Sequence, residues 1–169
     1  MSVSTDFEDD EFTANPLDLA ERFVSLNGWT FERRNEEEMA IDLPGQWSDY
    51  SLYLAWSEER EIMYFTCVFD LKVPEKRRPV LYELLSIINE RLWLGHFGFW
   101  VEENLPIFRY SMMLQGMEPE TCLERIEDVV DVALSECDRF YPTFQFGLRD
   151  GHSAAEALAA SLLDTVGEA

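Results

Sequence analysis

Residues 61–71 restrict most tightly what this chain can fold into. Met63, Phe65, Cys67, Phe69 and Leu71 alternate onto one side, while Ile62, Tyr64 and Val68 alternate onto the other. Successive side chains of a strand point to opposite faces, so this segment is apolar on both. Such a strand belongs inside a sheet, with helices over one face and something else over the other.

Period-two patterning continues upstream. Residues 29–34 and 38–43 read as strands joined near Asn35, and Pro44-Gly45 is a turn signal. Residues 50–56 alternate, with Tyr50, Leu52, Leu54 and Trp56 on one face. Downstream, residues 96–101 and 106–114 form a hairpin around Glu102-Glu103-Asn104.

Helical periods occupy the gaps. Asn15-Pro16 caps and opens a first helix, carried by Leu19, Phe23 and Leu26 and stopped by Gly28. A second helix is predicted over 74–94, with Leu81, Leu84, Leu85, Ile88 and Leu92 as its core stripe and Gly95 as its end. A third starts at Pro119 and runs to Pro142, which should stop it because a ring nitrogen donates no hydrogen bond. Ser153-Ala154-Ala155-Glu156 is a capping box for a short last helix ending at Gly167.

The order α-ββββ-α-ββ-α-α predicts an α+β fold: an antiparallel sheet of five to six strands with helices packed on one face. Residues 1–14, with five acids between Asp6 and Glu11, read as a disordered acidic tail; 15–150 form the α+β domain and 151–169 a C-terminal helix.

Charge limits the partners. Lysines and arginines number 13 against 34 acids, a net charge of −21, which repels phosphate backbones and anionic lipid surfaces. The expectation is no nucleic acid, no membrane and a basic protein or peptide partner. Lys72, Lys76, Arg77 and Arg78 crowd a helix start; pairing with the chain's own acids or with a dimer mate is expected to offset them. Three widely spaced cysteines, Cys67, Cys122 and Cys137, and an N-terminus without an apolar leader point to a reducing cytoplasm.

The run Leu84-Leu85-Ser86-Ile87-Ile88-Asn89-Glu90-Arg91-Leu92-Trp93-Leu94-Gly95-His96-Phe97, followed by Arg109, resembles the YbjN-like family across residues 15–150. The order of elements is similar to the type III secretion chaperone fold. The resemblance implies helices backing an antiparallel sheet, a homodimer, and a role in bacterial sensory-transduction regulation. No established activity or active-site residues come with the resemblance, and no cofactor or metal is expected from the sequence. Asn89, Gly95, His96 and Arg109 fall in the motif as structural residues.

Catalytic signatures are scarce. Glycine-rich phosphate loops and G-x-S-x-G are absent from the sequence, and neither His96 nor His152 has partners at metal-ligand spacing. His96 between two glycines reads as a hydrogen-bonded histidine at the helix–strand corner. The cysteines read as small core hydrophobes. Asn89, beside an apolar stripe, should tie its helix to a nearby turn.

Aromatic load is the remaining feature. Tyr50, Tyr53, Trp56, Trp100 and Tyr110, if they share the sheet's uncovered face, would form a partner or dimer surface. The expected function is therefore a non-enzymatic protein-binding module of chaperone-like or regulatory type. The alternatives are a small-molecule-sensing regulator, or a small hydrolase or transferase using His96 with a carboxylate or Cys67.

Overall fold

Asn15 opens the first helix as its sequence suggests: its Oδ1 accepts from the Leu17 backbone N–H at 2.9 Å, and Pro16 occupies the first turn. The computed structural model describes residues 15–149 and 151–167, so the acidic tail read over 1–14 lies outside the described residues. The elements run α1 (Pro16–Leu26), β1 (Phe31–Arg33), β2 (Glu38–Pro44), β3 (Asp49–Ser57), β4 (Ile62–Val68), a 3-10 turn (Glu75–Arg77), α2 (Arg78–Asn89), β5 (His96–Trp100), β6 (Leu105–Met113), α3 (Pro119–Gly147) and α4 (Ala154–Gly167).

All six strands join one antiparallel sheet in the order β1-β2-β3-β4-β6-β5. The fold is α+β, and the two-sided strand is interior, as its pattern requires. Paired residues of an antiparallel ladder share a face. Leu43↔Tyr50, Leu54↔Phe65, Cys67↔Phe108 and Phe97↔Phe108 therefore define one side of the sheet.

The helices pack on that side. From α3, Phe140, Tyr141 and Phe144 meet Tyr50, Phe69 and Phe97 with ring centroids 5.3–6.2 Å apart. Leu17, Ala20 and Val24 of α1 and Leu81, Leu84 and Ile88 of α2 join the same core, each fully buried. Burying one such side chain contributes roughly 1.5–3 kcal/mol, so this layer carries most of the fold's stability. At the last helix the capping box forms in both directions: Glu156 N donates to Ser153 Oγ at 3.1 Å and Ser153 N to Glu156 Oε2 at 3.3 Å.

Three boundaries depart from the sequence reading. The second helix is shorter than 74–94, because the N–H groups of Arg91 and Leu92 bond back only three residues, to Ile88 and Asn89. The fourth strand stops at Val68 rather than residue 71; Phe69 N and Val73 N instead bond to the carbonyls of Pro106 and Asn104.

The third departure is Pro142, which does not end α3. The ring nitrogen leaves the carbonyl four residues earlier, on Asp138, without its helical donor. Trp47 Nε1, from the β2–β3 turn, donates to that carbonyl at 3.1 Å. Its neighbours reach the same residue: Gln46 N donates to Asp138 Oδ1 at 2.9 Å and Tyr50 OH at 2.8 Å. A Cβ at Gly45 would come within 2.4 Å of the Ser48 carbonyl and 2.3 Å of the Tyr50 ring, so only glycine lets the turn come this close.

Candidate functional site

The other face of the sheet carries what the helices leave. Ladder parity puts Ser51, Tyr53 and Ala55 of β3 there, with Tyr64, Thr66 and Val68 of β4, Ile107 and Arg109 of β6, and Gly98 and Trp100 of β5. Val68 and Ile107, paired in the ladder, are only 7 % and 3 % exposed and make an apolar floor.

A hollow of about 710 Å3 opens over part of this face. Tyr53, Ser51 and Val68 line its base. One end is formed by Arg34 and Glu38, the other by Trp100 and Glu103 of the β5–β6 turn. Asp49 and Asp70, at a strand start and just past a strand end, add two more carboxylates. The Arg34 guanidinium lies over the Tyr53 ring, 5.2 Å from its centroid. Lys72, nearby in sequence to Asp70, directs its ammonium to the Glu103 backbone carbonyl at 2.8 Å and leaves that carboxylate free of it.

The five aromatic candidates separate. Tyr53 and Trp100 reach the open face and line the hollow. Tyr50, Trp56 and Tyr110 turn to the helix side, since Leu43↔Tyr50, Trp56↔Met63 and Phe65↔Tyr110 are partners there. The reason is parity: Tyr50 and Tyr53 are three residues apart on one strand and cannot share a face. Tyr50 is 1 % exposed. Burial, then its hydrogen bond to Asp138, holds its hydroxyl far above the usual tyrosine range.

The motif residues gather at the β5 edge. Asn89 at the end of α2 grips one residue of that strand twice: its Nδ2 donates to the Phe97 carbonyl at 3.0 Å, and its Oδ1 accepts from Phe97 N at 2.7 Å. Gly95 lies at φ +71°, and a Cβ there would strike the Phe108 ring at 2.3 Å and the Arg109 carbonyl at 2.8 Å.

His96 differs from its expected hydrogen-bonded place at the corner. It is exposed on the edge strand, paired in register with an exposed Arg109, and its imidazole makes no hydrogen bond among the described residues. Parity also puts His96 beside Thr66 and Arg109, opposite to Cys67, so these two side chains cannot act together.

All three cysteines are free and buried. Burial pushes the Cys122 thiol up to about 11. Cys137 is also raised, by burial first and then by the neighbouring Cys67 thiol. Thiols shifted this way stay protonated and inert at neutral pH. Among the described residues no group of three or more His, Cys, Asp or Glu could hold a metal ion, and no helix is long and apolar enough to cross a membrane.

The two arginines of the basic run find local partners. Arg77 donates to the carbonyls of Gly147 (2.8 Å) and His152 (2.5 Å), and Arg78 to Asn104 Oδ1 at 2.5 Å. These side chains cap a helix end and a turn rather than pair with carboxylates.

Sequence reasoning missed Arg34, Glu38, Asp49, Asp70 and Glu103. Parity from Tyr53 reaches Asp49 on the same strand. The others come from turns and strand ends spread over about seventy residues, for which no local signal exists.

A family model named YbjN, "Putative bacterial sensory transduction regulator", matches residues 16–146. Two solved structures share the fold. One is YbjN from E. coli, described as "a putative transcription regulator", at 14% identity and TM-score 0.52, over 74% of this chain and 90% of that one. The other is the ExsC-ExsE complex, at 16% identity and TM-score 0.51, over 80% of this chain and 94% of that one. Among curated proteins none matches.

Proposed function

The chain belongs to the YbjN family, and on that premise we propose that it is a non-enzymatic protein-binding module of chaperone-like or regulatory type, acting in the cytoplasm as a homodimer. The observation that carries this reading is the open face: a sheet sealed by helices on one side presents a hollow of about 710 Å3 on the other, with Tyr53 and Trp100 in its lining. Partly exposed rings over an apolar floor are the usual anchors of protein contacts. A structural neighbour was itself captured as a complex, ExsC with ExsE. The separation of His96 from Cys67 counts against a hydrolytic role built on that pair.

Dimerisation is best supported at β5. This edge strand ends the sheet, and Tyr82, Trp93 and Leu94, in or just after the preceding helix, are 51 %, 98 % and 48 % exposed. An unpaired edge flanked by apolar groups is a natural site for a second chain.

The test is affinity capture from native lysate with wild-type bait and with a Tyr53→Ala/Trp100→Ser double variant, beside light scattering of both. A stoichiometric partner lost only from the variant supports the reading. The same partner retained by a folded variant sinks it, and a monomeric mass at micromolar concentration removes the dimer.

Small-molecule sensing is the second reading, favoured by the size of the hollow, which falls in the range of ligand sites. A ligand that binds the folded state raises the melting temperature, so a metabolite screen by thermal shift separates the two readings.

A further inference from the structure

We infer that the open face receives a basic side chain on an extended segment of the partner protein, and that Arg34 occupies that side chain's place when no partner is bound. The inference rests on the protein-binding reading and specifies what is bound.

Charge is the first argument. Four carboxylates, Glu38, Asp49, Asp70 and Glu103, line the hollow, and Arg34 is the one cation among its described lining residues. The chain around it carries −21. An acidic segment entering here meets repulsion from both the rim and the whole molecule, whereas a basic one is attracted by both. All four carboxylate residues are exposed and keep their water until a partner arrives, so the attraction acts as complementarity and not as a standing strain.

The second argument is Arg34 itself. Its guanidinium lies over the face of Tyr53, 5.2 Å from the ring centroid, inside the hollow. A ring face is a binding place for a planar cation, and the carboxylates of the same hollow add attraction at longer range. The protein's own arginine already demonstrates the fit, and it sits in an exposed position from which it can swing away. A partner's arginine or lysine would take over the ring and release Arg34 to solvent. Arg34 is thus a built-in competitor that lowers affinity for weakly basic segments.

Geometry gives the segment its length. The hollow reaches from the β1–β2 turn, at Arg34 and Glu38, to the β5–β6 turn at Glu103. In the sheet order β2-β3-β4-β6-β5 that is four interstrand steps, about 19 Å at about 4.8 Å each. The register puts the two turns at opposite strand ends, about 20 Å apart along the strands. An extended chain covers the diagonal of about 28 Å in about eight residues at about 3.3 Å per residue. Trp100, at the far end from Arg34, would then stack against an apolar or second basic side chain of the same segment.

The test uses three fluorescein-labelled ten-residue peptides of leucine and serine that differ at two positions, carrying arginine, citrulline or glutamate. Citrulline keeps the shape of arginine without its charge. Anisotropy titrations with the full-length protein at low and high salt give affinities, and amide NMR shifts locate the contact. The arginine peptide should bind about tenfold tighter than the citrulline peptide at low salt and lose most of that advantage at high salt. It should shift the amides of Tyr53 and Trp100. The glutamate peptide should not bind.

Variants give opposite signs. Asp70→Asn with Glu103→Gln should weaken the arginine peptide several-fold and leave the citrulline peptide unchanged. Arg34→Ala should strengthen the arginine peptide about threefold or more, because the competitor is gone. A merely structural arginine would give no gain. All three residues are exposed, so these variants fold. Equal affinities for arginine and citrulline peptides at the open face overturn the cation preference but leave the protein-binding reading standing. Arg34→Ala weakening the arginine peptide overturns the competitor role, and binding by none of the peptides overturns the inference. The protein-binding reading falls separately, by the lysate comparison above.

Discussion

On the helix side of β3, Tyr50, Leu52 and Leu54 are at most 1 % exposed; between them on the same strand, Ser51, Tyr53 and Ala55 all keep contact with solvent. The two faces are separated by one residue of register and by nothing else in the backbone. What differs is the company. The helix side meets four aromatic rings around Phe69, from Tyr50, Phe97, Tyr141 and Phe144. The other side carries a hollow lined by four carboxylates and Arg34, with Arg109 and His96 exposed elsewhere on the same face. On the proposed reading, stability and recognition are divided between faces of a single sheet, so that the open face can change without endangering the fold.

Three measurements sharpen that division or break it. The largest effect belongs to Phe69→Ala, which removes the hub of the ring cluster and should cost about 3–5 kcal/mol in urea unfolding. A loss below about 1 kcal/mol would mean that the helix side is not closely packed.

Alkaline pH is next, because it acts through the helix side. Cys122, Cys137 and Tyr50 all have raised values, driven first by burial. The fold therefore favours their neutral forms. That stabilisation is complete below the ordinary thiol value of 9.0 and is lost as pH climbs toward about 11 for Cys122. Chemical denaturation at pH 8 and pH 10.5 should show a loss of about 2 kcal/mol or more. Constant stability over that range would contradict the burial of these groups.

The smallest effect should come from Tyr53→Ala, within about 0.5 kcal/mol of wild type in the same assay, although it removes the ring that Arg34 covers. A loss comparable to Phe69→Ala would show that the open face also supports the fold, and the division would fail.

The fold was largely legible because it rests on local periods. Alternation located all six strands, and the two-sided pattern of residues 61–71 placed its strand inside the sheet. The capping residues Asn15 and Ser153 identified two helix starts from side-chain chemistry alone. Pro142 was misleading for a reason no local rule contains: the carbonyl it leaves open, on Asp138, takes its donor from an indole 91 residues away from Asp138 in sequence.

The site was less legible. Alternation along β3 separates Tyr50 from Tyr53 without any structure. Placing Trp100 in the same hollow as Tyr53, however, needs the order β3-β4-β6-β5, which joins strands across an intervening helix. The carboxylates were invisible for another reason. A chain with 34 acids offers no contrast by which four of them stand out, and only the shape of the sheet selects Glu38, Asp49, Asp70 and Glu103.

The bond between Trp47 and the Asp138 carbonyl has a consequence for how this sequence can drift. An indole that completes someone else's backbone cannot be exchanged freely, and a proline that depends on it is equally bound. Restoring an ordinary residue at position 142 returns an amide that competes for the same oxygen and makes the tryptophan dispensable. The two positions form one heritable unit, and whichever mutates first sets what the other is allowed to be.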